Sequence, residues 1–194
     1  CAQSKFHKTN IEVYPLVSEE AALKEALHNA SKGVERFSLV TSGRTLSAAD
    51  TDRICSIYRH IKQHTPIHLC ASLGLLTKEQ LIQLRESGVE RYHCNMETAP
   101  SYFVKLCTTH TPEEKMQTIA WAKEAGLSIC SGGIIGMGES AEQRIELAVT
   151  LQKIGVDSIP VNVLNPIPGT PLADVKPLED TEVLVAMAMM RIIN

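Results

Sequence analysis

Two cysteines in this sequence stand where soft metal ligands would be expected. Cys70 and Cys130 each lie one or two residues from the end of a short apolar stretch that has the pattern of a strand. Because the ends of parallel strands meet at one edge of a sheet or barrel, both thiols could face a common ligand. Thiolates favour iron–sulfur clusters, zinc or Cu(I). A buried cysteine is also a common small core residue, and the sequence alone leaves both interpretations open.

The segment HCNMET, residues 93–98, places an amide and a carboxylate two residues apart. In a strand, Asn95 and Glu97 share a face with His93, while Cys94 points to the opposite side and is interpreted as structural. If the shared face meets a ligand, the carboxylate suits a ribose diol. The alternative is that the pair caps the next helix.

The glycine-rich run ICSGGIIGMGES, residues 129–140, fits neither common phosphate-binding pattern. A phosphate loop carries Lys and then Ser or Thr after its last glycine, whereas Glu139 follows here with the wrong charge. A dinucleotide-binding turn requires the spacing G-x-G-x-x-G, which the run also lacks.

Three other residues have less specific patterns. Asn162 lies in an apolar strand and, if buried, needs either a backbone or a ligand partner. Cys55 lies on an amphipathic helix and Cys107 beside TTHT, and neither falls at a strand end, so core packing or a surface position is expected for both.

These residues are positioned by a regular alternation of helices and strands. Capping residues and hydrophobic periodicity predict helices at 18–32, 48–64, 74–87, 111–125, 140–154 and 179–193, and strands at 36–41, 67–72, 91–96, 127–132 and 157–163. Such repeated units predict a parallel sheet and the α/β class. Polar residues at several strand ends favour a TIM-type (β/α) barrel, which five strands are too few to close. We therefore predict a single domain over residues 1–194, part of a larger barrel and truncated at both ends.

Length and composition exclude several classes of function. The chain has 194 residues, 44% of them hydrophobic, and a net charge of −3. Interspersed charges and few aromatic residues argue against nucleic-acid binding, and no apolar run is long enough to span a bilayer. The six cysteines are too widely spaced for a compact disulfide framework, so a reducing, cytoplasmic setting is expected.

Four segments together resemble the biotin synthases, a family of the radical S-adenosylmethionine superfamily. They are CNMETAPSYF, TTHTPEEK, CSGGIIGMGES and VNVLNPIPGTPL, in this order along essentially the whole chain. The resemblance implies radical insertion of sulfur into dethiobiotin, with a [4Fe–4S] cluster, S-adenosylmethionine and an auxiliary iron–sulfur cluster. It also implies an electron donor such as flavodoxin or ferredoxin, and is compatible with a homodimer. The alternatives are another enzyme of the same branch, such as a maturase or a mutase, and an inactive fragment that retains the fold.

The resemblance assigns metal ligands to three cysteines. Cys1 corresponds to the last cysteine of the C-x3-C-x2-C motif that holds the [4Fe–4S] cluster, and without the first two the segment alone is expected to be inactive. Cys70 and Cys130 correspond to two of the three cysteines of the auxiliary cluster. Ser38 occupies the position of the third, and the family's arginine ligand would lie beyond residue 194.

Because Ser38 replaces the third cysteine, three arrangements of the auxiliary site stay open. A Ser38 alkoxide could bind the iron, another side chain such as His93 or Cys94 could take the place of the cysteine, or the site could hold a different type of cluster. We expect a different type of cluster.

The resemblance also assigns cofactor and substrate contacts. Glu97, Lys115 and Ile134 correspond to positions that contact S-adenosylmethionine, at its ribose, its methionine carboxylate and its adenine. Lys115 is the weaker match, because lysine cannot form the bidentate fork of arginine. Asn95 and Asn162 correspond to positions that contact dethiobiotin.

Overall fold

The computed structural model describes residue 12 and residues 14–194, and within them two compact units. The four-strand unit consists of Tyr14–Cys94 and Glu114–Cys130, and the two-strand unit contains Asn95–Glu113 and Ser131–Asn194. The predicted cluster ligand Cys1 lies outside the described residues. The single domain over residues 1–194 stays a prediction.

The four-strand unit alternates helices with parallel strands. Its elements are α1 (Glu19–Ser31), β1 (Arg36–Val40), α2 (Ala48–His64), β2 (His68–Ser72), α3 (Lys78–Glu86), β3 (Arg91–His93) and β4 (Ser128–Cys130), and α5 (Pro112–Glu124) precedes β4. The strands are ordered β1-β2-β3-β4, and each pair is parallel. This arrangement confirms the predicted α/β class.

Local capping explains where these helices begin, and α3 starts at Lys78, four residues after its predicted start at residue 74. The side chains of Ser18, Ser47 and Thr77 accept hydrogen bonds from the first turns of α1, α2 and α3. At Thr77 the partner that completes the capping box is Gln80, because it occupies the third helical position, rather than the neighbouring Glu79.

One face of the four-stranded sheet belongs to the core. Leu69, Ala71, Tyr92 and Ile129 are completely buried, as are Ile61 of α2 and Leu81 and Leu84 of α3. Burying one such large aliphatic side chain contributes about 1.5–3 kcal/mol to the free energy of unfolding. Because successive side chains of a strand point to opposite faces, the residues that alternate with these lie on the other face of the sheet.

The two-strand unit differs from the predicted pattern in three places. It contains α4 (Pro100–Leu106), β5 (Gly133–Ile135), α6 (Ala141–Ile154), β6 (Val161–Val163) and α7 (Asp180–Ile193), with β5 and β6 parallel. The predicted strand 127–132 ends at Cys130, and the separate strand β5 follows it. The short helix α4 was not predicted. The predicted strand 157–163 is confined to its last three residues.

Among the described residues, no helix has the length and apolarity needed to cross a membrane.

Candidate functional site

The second face of the four-stranded sheet carries polar and sulfur-containing side chains, and we call it the polar face. Residues that are register partners on neighbouring parallel strands point to the same side. The register therefore assigns to this face Ser38, Cys70, Arg91, His93, Ser128 and Cys130.

The side chains of the polar face form two rows across the strands. In the first row Ser38 pairs with Cys70, Cys70 with Arg91, and Arg91 with Ser128. In the second row, two residues nearer the carboxyl ends of the strands, His93 pairs with Cys130. Cys70 and Cys130 were expected at equivalent strand positions. They share a face, but they lie in different rows, with β3 between their strands.

Arg91 is a polar-face residue that the sequence did not single out. Its Nε donates a hydrogen bond to the Ser128 Oγ at 3.1 Å, and the Ser128 hydroxyl donates to the Glu90 carbonyl at 3.2 Å. This contact holds the guanidinium along the first row, between the strands of the two cysteines. Strand alternation alone could have placed Arg91 on this face, two residues before His93.

Tyr58 of α2 fixes the backbone at Cys70 from the core side. Its buried hydroxyl donates to the Cys70 carbonyl at 2.5 Å and accepts from the Leu39 amide at 3.2 Å. Burial raises the pKa of Tyr58 far above its ordinary value, so the phenol stays protonated and can donate. The hydroxyl thereby links β1, β2 and α2 at the residue that carries the thiol.

Replacing Tyr58 by phenylalanine is expected to lower the free energy of unfolding by about 1–3 kcal/mol, because it leaves a buried carbonyl and a buried amide without this partner. Urea unfolding followed by circular dichroism measures the change. The matched control is Tyr14→Phe, since Tyr14 is 71% exposed and its substitution should leave the unfolding midpoint unchanged. Equal unfolding midpoints for both variants would show that the Tyr58 hydroxyl does not stabilise the backbone at Cys70.

His93 of the second row lies near the positive charge of Lys115. Lys115 of α5 is buried. Desolvation lowers the pKa of half-buried His93 below its usual value, and the positive charge of Lys115 lowers it further. His93 is therefore a neutral imidazole at pH 7, with one ring nitrogen that can accept a hydrogen bond or bind a metal.

β3 ends at His93, three residues before the predicted end of the strand at residue 96, but burial still alternates from His93 to Glu97. Cys94 and Met96 are buried, whereas His93, Asn95 and Glu97 are half-buried. In the two-strand unit, the Asn95 Oδ1 accepts a hydrogen bond from the Gly132 amide at 2.9 Å. Asn95 therefore holds the glycine run in place, in addition to the substrate contact that the resemblance predicts for it.

Glu97 has an unusual backbone conformation. Among the described residues it is the only one other than glycine with a positive φ, at 70°. Its amide donates to the Gly132 carbonyl at 3.1 Å, and its carbonyl accepts from the Ile134 amide at 2.8 Å. Such left-handed residues cost about 1–3 kcal/mol and concentrate at binding sites, which agrees with the predicted cofactor contact.

The glycine run is explained by close backbone packing within the two-strand unit. A Cβ on Gly132 would lie 1.9 Å from the Pro160 carbonyl oxygen, and a Cβ on Gly133 would lie 2.5 Å from the Glu97 carbonyl oxygen. Both distances are impossible for a side chain, so only glycine fits at either position. This close approach also ends β4 and begins β5 after a break.

Glu139 closes the turn at the end of the glycine run. Its carboxylate accepts hydrogen bonds from the Gly136 and Met137 amides, both at 2.7 Å, and forms an ion pair with the Arg144 Nε at 2.8 Å. The side chain is buried. Glu139 therefore takes a structural role, which explains why an acid stands where a phosphate loop would have a lysine.

Ile134 and Asn162 are register partners on β5 and β6, so their side chains point to the same side of this strand pair. The sequence indicated a buried strand around Asn162. In the residues that the structure describes, Asn162 and Val163 are exposed and β6 pairs only with β5.

The chain belongs to the radical S-adenosylmethionine superfamily, whose family model matches residues 1–151. Enzymes of this superfamily use a [4Fe–4S] cluster and S-adenosylmethionine. Residues 160–194 match the Biotin and Thiamin Synthesis associated domain.

The curated relatives point to one branch of the superfamily. The chain is 51% identical over 193 residues to a biotin synthase of Akkermansia muciniphila and 53% identical over 194 residues to a biotin synthase of Porphyromonas gingivalis. The alignments cover the whole chain, but only 60% and 59% of those proteins. The chain therefore spans about three fifths of the length of these relatives.

Solved structures confirm the fold. Methylornithine synthase superimposes with a TM-score of 0.83 over 98% of this chain and 57% of its own, at 21% identity. A maturase of the [FeFe]-hydrogenase gives a TM-score of 0.76 over 95% of this chain and 44% of its own, at 17% identity. At such identities the likeness shows the fold alone. The predicted likeness to radical S-adenosylmethionine barrel enzymes is confirmed.

The donor set of the polar face fits an iron–sulfur cluster better than a single metal ion. Cys70 and Cys130 form no disulfide, and both thiols lie on one face. Within residues 14–194, no three His, Cys, Asp or Glu side chains lie close enough together to hold one ion. A cluster is larger, and its bridging sulfides allow more widely spaced thiolates to act as ligands. Biotin synthases carry such an auxiliary cluster.

Proposed function

We propose that this chain is the central part of an enzyme that inserts sulfur into dethiobiotin to form biotin. Identity of about 50% to biotin synthases over the whole chain supports this activity, as does the match of residues 160–194 to a domain associated with biotin and thiamin synthesis. The maturase alternative rests on fold likeness alone.

One observation of the structure carries the proposal: Cys70 and Cys130 lie on the same face of one parallel sheet, on strands separated only by β3. Core packing alone does not require two cysteines to lie on the same face. When bound, the [4Fe–4S] cluster with S-adenosylmethionine supplies a 5′-deoxyadenosyl radical, and the auxiliary cluster supplies sulfur.

In this proposal the remaining residues bind and orient S-adenosylmethionine and dethiobiotin. Glu97 binds the ribose of S-adenosylmethionine, Ile134 contacts the adenine, and Lys115 binds the methionine carboxylate. Asn95 and Asn162 bind dethiobiotin. The left-handed backbone of Glu97 supports its role, since such residues concentrate at binding sites.

The enzyme also needs a source of single electrons, for which flavodoxin or ferredoxin is proposed. A cytoplasmic location is proposed as well, since the six cysteines are too widely spaced for a compact disulfide framework. The Cys1 ligand and the homodimer are likewise proposals.

Replacing Asn162 by alanine is expected to weaken dethiobiotin binding by about 0.5–1.5 kcal/mol, because the ligand then loses one hydrogen bond. Uncoupled cleavage of S-adenosylmethionine should continue. Asn165→Ala is the control, since Asn165 is also exposed and lies three residues further along. Isothermal titration of dethiobiotin into the full-length variants measures the difference, and equal affinities would exclude the contact.

The proposed function is tested by measuring how fast the full-length protein forms 5′-deoxyadenosine under anaerobic conditions. Added dethiobiotin is expected to increase the rate of 5′-deoxyadenosine formation and to be consumed. If 5′-deoxyadenosine forms but dethiobiotin changes neither the rate nor its own amount, the superfamily assignment holds and the proposed substrate is wrong.

A further inference from the structure

We infer that His93 is the third protein ligand of the auxiliary cluster, in place of the cysteine that Ser38 replaces. This inference rests on the proposed function, because that function requires the cluster. It is carried by the register of the polar face, which places His93 between the two cysteines.

The register gives the relative positions of these residues. Neighbouring strands lie about 4.8 Å apart and each residue advances about 3.3 Å, so the Cα of His93 lies about 5 Å from that of Cys130 and about 8 Å from that of Cys70. Cys70 is on β2 and Cys130 is on β4. A cluster that binds both thiols must therefore lie over β3, next to His93.

Ser38 is a poorer donor for the same cluster. It is the register partner of Cys70, at the position that corresponds to the third cysteine of the auxiliary cluster in the family that the sequence resembles. Its hydroxyl is a hard donor, whereas iron–sulfur clusters take soft thiolates or imidazole nitrogens.

The two other groups near β3 do not compete with His93. Cys94 follows the end of β3 and is buried. Burial and the neighbouring Cys94 thiol both raise the pKa of the core residue Tyr92, so Cys94 lies on the core side of the sheet. Arg91 does lie on that face, but its Nε is bound to Ser128 and a protonated guanidinium offers no lone pair. Imidazole nitrogen is a known iron ligand, since two histidines replace two cysteines in Rieske clusters.

The experiment uses the full-length protein with Cys1→Ala, so that only the auxiliary cluster contributes to the spectrum. The reduced cluster is studied by pulsed EPR in protein grown with unlabelled or ¹⁵N-labelled histidine. We expect a nitrogen coupling that changes from ¹⁴N to ¹⁵N with the label, which distinguishes histidine from arginine. The coupling should disappear in His93→Cys, while the iron content stays that of the parent because a thiolate replaces the imidazole.

Two controls make the result specific to His93. The first control is His68→Asn, which changes a histidine of β2. The His68 Nδ1 lies 2.6 Å from the Glu90 Oε2, and this variant should leave the nitrogen coupling unchanged. Ser38→Ala should retain the auxiliary iron. Absence of any histidine coupling, its persistence in His93→Cys, or loss of iron in Ser38→Ala overturns the inference.

A separate variant distinguishes failure of this inference from failure of the proposed function. Cys70→Ala together with Cys130→Ala should remove the auxiliary iron. If the double variant loses this iron but the parent shows no histidine coupling, the inference alone is overturned. If the double variant keeps all of the iron, the auxiliary site is elsewhere, and the proposed function is contradicted as well.

Discussion

Replacing Cys130 by alanine in the full-length protein is expected to reduce biotin formation by at least about 100-fold, since loss of a partner that only supports a metal ligand already costs about 10–100-fold. Cys130 is a direct thiolate donor in the proposed site, and alanine cannot replace it. Cleavage of S-adenosylmethionine should continue, because it depends on the other cluster. Product analysis and iron determination on the same sample measure both effects.

Cys55→Ala is the matched control for this substitution. Cys55 is a buried cysteine of α2, outside the polar face, and burial raises its pKa, so it is an unreactive thiol. The variant should lose some stability but keep its auxiliary iron and its biotin formation. If both variants lose biotin formation to the same extent, Cys130 has no special role.

Replacing Gly132 by alanine is expected to lower the free energy of unfolding of the protein by about 3 kcal/mol or more, at or beyond the upper end of ordinary overpacking. The added Cβ would lie 1.9 Å from the Pro160 carbonyl oxygen, and backbone cannot move aside as a flexible side chain can. The displacement would also strain the hydrogen bond from the Gly132 amide to Asn95. Thermal and urea unfolding of the variant measure the loss.

Gly33→Ala separates this clash from the general cost of replacing glycine. Gly33 has a φ of 77°, but no atom lies within 4 Å of the position that an added Cβ would take, so only conformational strain of about 1–2 kcal/mol is expected there. A Gly132→Ala variant that is as stable as the parent would show that the close approach to Pro160 does not exist.

The helices were the most predictable part of the fold, because their signals are local. Ser18, Ser47 and Thr77 cap helices in the structure as the sequence indicated. The alternation of burial around His93 was also predictable, since it follows from the period of a strand. The helix α4 was missed because seven residues are too few to show a helical period, and Pro100 at its start was the only local signal.

The breaks and the register could not be predicted from local patterns. β4 ends after Cys130 because Gly132 packs against Pro160, which is 28 positions away in the sequence. The two rows of the polar face depend on which residues of β2, β3 and β4 are paired, and a sequence does not reveal this pairing. Strand alternation could have placed Arg91 and Ser128 on this face, but not the pairing between them.

Glu139 shows how an apparently functional pattern can have a structural cause. The sequence showed that an acid at the end of a glycine run is wrong for phosphate, but not what the acid does. Its partners are the amides of the turn that it closes and Arg144, one helical turn into α6. Such a contact cannot be predicted from the sequence, because it depends on the conformation of the folded turn.

The most direct test of the proposed function is the origin of the sulfur atom in the product. The auxiliary cluster of the full-length protein is reconstituted anaerobically with iron and ³⁴S-sulfide, excess sulfide is removed, and the protein is supplied with S-adenosylmethionine, dethiobiotin and an electron donor. Mass spectrometry is expected to find biotin that contains ³⁴S, and none with the Cys70→Ala and Cys130→Ala double variant. If the parent protein cleaves S-adenosylmethionine but yields no biotin, or if the double variant yields as much labelled biotin as the parent, sulfur insertion at this site is contradicted.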